Sequence, residues 1–297
     1  MEIKRVGSGK VVLISGGGKI YTDIAARFCR SQKDLDSIIG SEYNKNIVKN
    51  ILESGHLAAT EFDWFIFGIE GYSRVTETQL VRKRMASYLI KSGRTETNGK
   101  RKFDIVLPEE SDVWKNARGH TLIREENFFP SYNERVHPAA AAIKMDYKQI
   151  LELIESWYED AVSLGMKEEE ARYIKPQATE FKAIIGMNAH SLIDWFKIRC
   201  CNRAQTEIRD LATKMLKLCK EAAPDLFVNA GSSCIGLGYC PEKEQCDQCK
   251  GTIPTHNDVL KLIKRNRKDH IIKLENAGLD HAAYIDDHLN IIDDTDH

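Results

Sequence analysis

The run Phe62-Asp63-Trp64-Phe65-Ile66-Phe67-Gly68-Ile69 constrains this chain more than any other stretch, because aromatic and β-branched side chains at this density suit a pleated surface. It is read as a buried strand. Upstream, Lys10-Val11-Val12-Leu13-Ile14 gives a second short strand, stopped by the turn Ser15-Gly16-Gly17-Gly18. That glycine run is not a phosphate loop: Gly18-Lys19 is followed by Ile20 rather than Ser or Thr, and no glycine stands at the required place before it. Ile47, Val48, Ile51 and Leu52 predict a helix over about 43 to 54, capped near Gly55; the chain then turns at Gly71 and enters a helix near Thr76.

From Asp146 onward, Ile150, Leu153, Ile154 and Trp157 keep one apolar helix face, with Gly165 as the stop. Segments 177 to 200 and 203 to 222 read as further helices, the second with Leu211 one turn from Met215 and closed by Pro224. A few early strands before a larger helical half predict an α+β fold: a small antiparallel or mixed sheet packed against a larger helical layer, with a Cys-containing tail and a C-terminal helix. The expected organisation is a main domain over 1–230, carrying an elaborated loop over 95–145 around Pro108, Pro130 and Pro138, then a Cys-rich segment and helical extension over 231–297.

Composition narrows the classes. With 42% hydrophobic and 29% charged residues, the chain buries a real core. The 43 basic side chains against 44 acidic ones leave no global field for a nucleic-acid polymer or a membrane surface, so any anion site is local. No stretch is apolar enough to span a bilayer, and the charged start Met1-Glu2-Ile3-Lys4-Arg5 lacks a signal-peptide core, which makes the cytoplasm the expected compartment. The 8 cysteines are accordingly expected to be reduced.

Two stretches carry chemistry. Between Ser73-Arg74 and Arg94, the chain gathers Gln79, Arg82, Lys83, Arg84, Ser92 and Arg94 around a helix end, where guanidinium forks and a hydroxyl suit a nucleotide phosphate. From charge alone, a solvated basic helix end is the better reading. The second stretch holds Asn188, His190, Ser191-Leu192, Asp194, Arg199 and Ala204-Gln205-Thr206-Glu207-Ile208-Arg209. On a helix, His190 and Asp194 form an i,i+4 pair while Asn188 and Arg199 share a face, and an exposed ion-paired surface explains these equally well.

Taken together, and with Gly55-His56, Glu61, Ala86-Ser87-Tyr88, Ser92-Gly93-Arg94, Arg172 with Pro176, and Asn229-Ala230-Gly231-Ser232-Ser233-Cys234, the two stretches resemble the flavin-dependent thymidylate synthases over roughly residues 20 to 250. The resemblance implies a homotetramer with active sites between subunits. It also implies bound FAD, NADPH as reductant and methylenetetrahydrofolate as the carbon donor that converts dUMP to dTMP. Gln79, Arg82, Ser92, Gly93, Arg94 and Arg172 would hold dUMP, and Arg199 would bind it and favour ionisation of the uracil imide. His56, Ala58, Glu61, Arg82, Lys83, Arg84, Asn188, His190 and Asp194 would surround the flavin.

The chain departs from the family pattern at Lys83, Ile90, Thr95, His190 and Asp194, where histidine, glutamate, tyrosine, arginine and asparagine are usual. These departures keep two alternatives open: a paralogue modifying another pyrimidine nucleotide, and a non-catalytic nucleotide- or flavin-binding descendant. Asp194 adds a negative charge whose nearest partner in sequence is His190. No resident metal is expected; Cys234, Cys240, Cys246 and Cys249 could hold zinc, but only one of their pairs has close spacing, and reduced structural thiols are the better reading.

Overall fold

The computed structural model describes residues 3–18, 20–92, 103–108, 119–122 and 142–276. The chain falls into two compact units, Met1–Ala230 and Gly231–His297. The first is α+β. Its sheet contains β2 (Lys10–Ser15), β3 (Trp64–Ser73), β4 (Ser87–Ile90) and β8 (Glu180–Asn188), all antiparallel, in the order β2-β3-β8-β4. β3 and β8 pair from Trp64↔Asn188 to Ser73↔Glu180, which makes them the spine of the unit. Smaller ladders join β1 (Ile3–Arg5) in parallel to β5 (Ile105–Leu107), and β6 (Gly119–Leu122) to β7 (Ala142–Met145).

The helices of this unit are α1 (Thr22–Arg30), α2 (Leu35–Ile39), α3 (Lys45–Glu53), α4 (Arg74–Leu80), α5 (Tyr147–Ser163), α6 (Glu168–Ala171), α7 (Ala189–Arg199) and α8 (Thr206–Ala222), with 3₁₀ turns at Leu57–Phe62 and Arg172–Ile174. Alternation in β3 sends Phe65, Phe67 and Ile69 inward against Leu192, Phe196, Leu211, Met215 and Phe227. Phe65 and Phe227 meet edge-on with ring centroids 5.1 Å apart. Emptying such a position, as in Phe67→Ala, costs about 3–5 kcal/mol. A smaller cluster of Phe103, Ile105, Leu107, Leu151 and Tyr158 lies beneath α5, whose start is fixed by a capping box between Asp146 and Gln149.

Three expectations change. β3 is buried on one face only: Trp64 is 51% exposed and Ile66 37%, and with Val12, Ile14, Ile184 and Leu89 they form an apolar row on the bare side of the sheet. Segment 177–200 is not one helix, since Phe181, Ala183, Ile185 and Met187 alternate inward along β8 and α7 begins only at Ala189. Gly71 is not a turn: at φ 80° it accommodates a bulge between Glu70 and Tyr72, so β3 runs on to Ser73 and α4 starts at Arg74. The turn at Gly16, Gly17 and Gly18 stands, all three having positive φ.

The second unit has a short helix, α9 (Ser233–Leu237), ended by Gly238 at φ 73°, and a long one, α10 (His256–Asn276). Between them Cys240 bridges Thr255. Among the described residues, no helix is long and apolar enough to cross a membrane.

Candidate active site

The basic stretch is positioned from both ends of α4. At its start, Ser73 leaves the N-cap bond unmade because its hydroxyl donates to Glu207 Oε2 at 2.5 Å, while its backbone N–H donates to Oε1 at 2.7 Å. Glu207 is 2% exposed, so the carboxylate of α8 is a buried clamp on the β3–α4 junction. At the other end, Arg199 donates from Nη2 to the Gln79 carbonyl at 3.2 Å and from Nη1 to Gln79 Oε1 at 3.4 Å. Burial lowers the pKa of Arg199, and the nearby Arg82 guanidinium lowers it further. Arginine keeps its proton regardless, so two cations are held close with neutral partners around one of them.

The loop after α4 is pinned from β4. The Tyr88 hydroxyl lies 2.9 Å from the carbonyl oxygens of both Leu80 and Lys83 and donates to either. Burial pushes that phenol up to about 12, which keeps it a donor. Arg82 and Arg84 are exposed in this loop.

On the other side, Lys83 Nζ donates to Asp194 Oδ2 at 2.5 Å. That hydrogen bond holds the Asp194 carboxyl below the usual range against the opposing effect of burial. His190 Nδ1 instead meets Glu61 Oε1 at 3.1 Å. The expected His190–Asp194 pair is therefore replaced: each residue finds a partner on another element, because both project from α7 toward neighbours more than a hundred residues away in sequence. Asn188 caps α7 by accepting from Ser191 N–H at 2.8 Å, which places it at one end of the helix and Arg199 at the other. His56 and Ala58 are exposed at the 3₁₀ turn beside Glu61. Ile90 packs on the core from β4.

Ser92 and Arg172 lie elsewhere, lining a cleft of about 550 Å³ together with Arg74, Lys91, Lys175 and Lys182. A single chain thus brings Gln79, Arg82 and Arg199 together and gathers Ser92 and Arg172 in a separate basic cleft. Gly93, Arg94 and Thr95 are outside the described residues.

The family model described as thymidylate synthase complementing protein matches residues 17–225. A flavin-dependent thymidylate synthase from Nitratidesulfovibrio vulgaris is 38% identical over 211 residues, covering 71% of this chain and 78% of that protein. The chain belongs to the flavin-dependent thymidylate synthase family. A further family relative, from Clostridium tetani, is 37% identical and covers 73% of this chain and 84% of its own length. Among solved structures, a UMP/dUMP methylase PolB from Streptomyces cacaoi bound with 5-Br dUMP superposes with a TM-score of 0.54 over 77% of this chain and 96% of that chain, at 16% identity, a likeness of fold.

Membership in the flavin-dependent thymidylate synthase family makes this chain an enzyme of that class. Sequence reasoning missed two positioning residues, Tyr88 and Glu207. Both stand inside stretches that carry the family resemblance, but nothing local marks a hydroxyl that braces a loop or a carboxylate that is buried.

Proposed function

We propose that the chain catalyses the reductive methylation of dUMP to dTMP in the cytoplasm, with FAD bound, NADPH as reductant and methylenetetrahydrofolate as carbon donor. The observation that carries this reading is Arg199, a half-buried cation fixed by Gln79 and beside Arg82. A cation so held, with no carboxylate paired to it among the described residues, stabilises negative charge developing on a uracil imide and so makes carbon 5 more nucleophilic. Gln79 and Arg82 orient the nucleotide; Ser92, Gly93, Arg94 and Arg172 hold its phosphate. Cys200, next to Arg199, is pushed up to about 12 by burial and stays a neutral thiol, which fits chemistry that needs no cysteine nucleophile.

The donor set fits a flavin. Arg84 is exposed at the α4 exit for a pyrophosphate, the N-terminus of α7 stands beside His190, and Glu61 with His190 forms a polar edge near His56 and Ala58. The flavin, when bound, supplies the redox chemistry between NADPH and the transferred carbon. Lys83, Asp194 and Asn188 would complete its surroundings. A homotetramer accounts for two features at once: the bare apolar row of Val12, Ile14, Trp64, Ile66, Ile184 and Leu89, which a second copy would cover, and the division of nucleotide-holding residues between two regions of one chain.

Purified chain tests the reading. Flavin absorbance that NADPH bleaches, together with growth of a thymidine-requiring bacterium without thymidine, is the expected result. A colourless protein that ignores added FAD overturns it. The Lys83–Asp194 pair favours one second reading, in which the neutralised lysine serves a different pyrimidine nucleotide; flavin-loaded protein that fails the rescue but methylates another nucleotide selects it.

A further inference from the structure

The Gly231–His297 unit poses a stability problem. Among its described residues, the buried side chains are Ser232, Cys240 and Cys249. Among the described residues this small unit has no apolar core, and units of that kind are commonly held by a covalent or metal staple. Its cysteines are all free thiols, yet they are not scattered. The Cys234 and Cys249 sulfurs stand 3.8 Å apart, and the Cys246 thiol hydrogen-bonds the same Cys249 sulfur. A disulfide would need about 2.05 Å. Thiolates about 2.3 Å from a tetrahedral zinc lie about 3.8 Å from one another, the spacing found here.

The backbone agrees. Within Cys246-x₂-Cys249, the N–H groups of Cys249 and Lys250 both donate to the Cys246 carbonyl, at 3.0 and 3.1 Å, which folds the two thiols back together. Gly251 at φ 76° completes the turn. Cys240 is tied to the same loop: its N–H donates to Pro254 O at 2.8 Å, and its carbonyl accepts from His256 N–H at 3.1 Å. Ser232 Oγ lies 3.1 Å from the Cys234 sulfur, an oriented outer partner of the kind that accompanies metal ligands.

We propose that Cys234, Cys240, Cys246 and Cys249 bind one zinc ion as a structural tetrathiolate site that holds the Gly231–His297 unit together. Among the described residues, no group of three or more His, Cys, Asp or Glu side chains is placed to hold a metal ion as it stands. The ion therefore draws Cys240 and Cys246 in beside the Cys234–Cys249 edge, coupling metal binding to the ordering of the unit, and each coordinating thiol releases its proton to solvent. This site is independent of the reading of the nucleotide site.

The test is metal analysis of the full chain purified under reducing conditions, with cobalt substitution to report thiolate coordination by its charge-transfer absorbance. One zinc per chain is expected, lost in the Cys234→Ser/Cys249→Ser double variant and retained in Cys29→Ser. Alkylation of the native chain gives a second readout that needs no variant: these four thiols are shielded until a chelator is added. A chain that takes up neither zinc nor cobalt, a double variant that keeps its zinc, or thiols equally reactive with and without chelator overturns the proposal.

Discussion

Arg199 and Lys83 are both half-buried cations near the end of α4, and their environments differ in kind. Arg199 is met by the neutral amide and carbonyl of Gln79, so its charge is undiminished. Lys83 is met by the Asp194 carboxylate at 2.5 Å, so its charge is cancelled within the chain. On the proposed reading, the chain keeps the Arg199 charge for a developing anion and spends the Lys83 charge on an ion pair of its own. The predictions that follow probe that contrast.

The largest effect is expected at Arg199. On the proposed reading, Arg199→Ala removes charge used mainly in the transition state, so turnover is expected to fall about 10²-fold or more while the dissociation constant for dUMP rises far less. Single-turnover rates and equilibrium binding measured on the same protein decide this. Equal loss in both would make Arg199 an ordinary binding residue and erase its contrast with Lys83.

Glu207 comes next, as the clamp on the start of α4. Glu207→Ala leaves the buried Ser73 N–H and hydroxyl without their acceptor and costs about 2–3 kcal/mol of stability, read from urea unfolding. Glu207→Gln keeps an acceptor and recovers part of the loss. If Glu207→Ala unfolds like the parent chain, the clamp is not what orders α4.

Tyr88→Phe is milder. It frees the carbonyls of Leu80 and Lys83, which water can satisfy at this half-buried position, and loosens the loop that carries Arg82. The expected result is a severalfold rise in KM for the nucleotide, with stability lowered by about 1 kcal/mol. An unchanged KM would show that Arg82 is ordered by the nucleotide itself.

How much of this was readable in the sequence follows from range. The strand expected over Phe62–Ile69 and found as Trp64–Ser73, the α5 helix with its Asp146 start and Gly165 stop, and the α8 helix closed by Pro224 are set by neighbours within a turn or two, and local pattern finds them. β8 was misread because Ile184 is apolar and exposed: with Phe181, Ala183, Ile185 and Met187 it makes a nearly continuous apolar run, which fits helix and strand periods alike. Side-chain partners were less legible. His190–Glu61, Lys83–Asp194 and Ser73–Glu207 each span more than a hundred residues, and only the pairing of β3 with β8 and the packing of α7 and α8 beside it bring them together.

The smallest effect is expected for the Lys83–Asp194 pair itself. The Asp194 side chain is 49% exposed, so solvent and salt screen the interaction, and a double-mutant cycle of Lys83→Ala and Asp194→Ala should give a coupling of about 0.5 kcal/mol. Its pH dependence has a definite sign. Because Lys83 lowers the Asp194 pKa, the pair contributes fully above the ordinary carboxylate range near about 3.9, and its contribution disappears as pH falls through the lowered value. Coupling at neutral pH and low salt, reduced at high salt and gone in strong acid, is the pattern of a scaffolding ion pair. If Lys83→Ala instead lowered turnover as much as Arg199→Ala does, Lys83 would be a catalytic cation despite its carboxylate, and neutralisation within the chain would no longer distinguish the two.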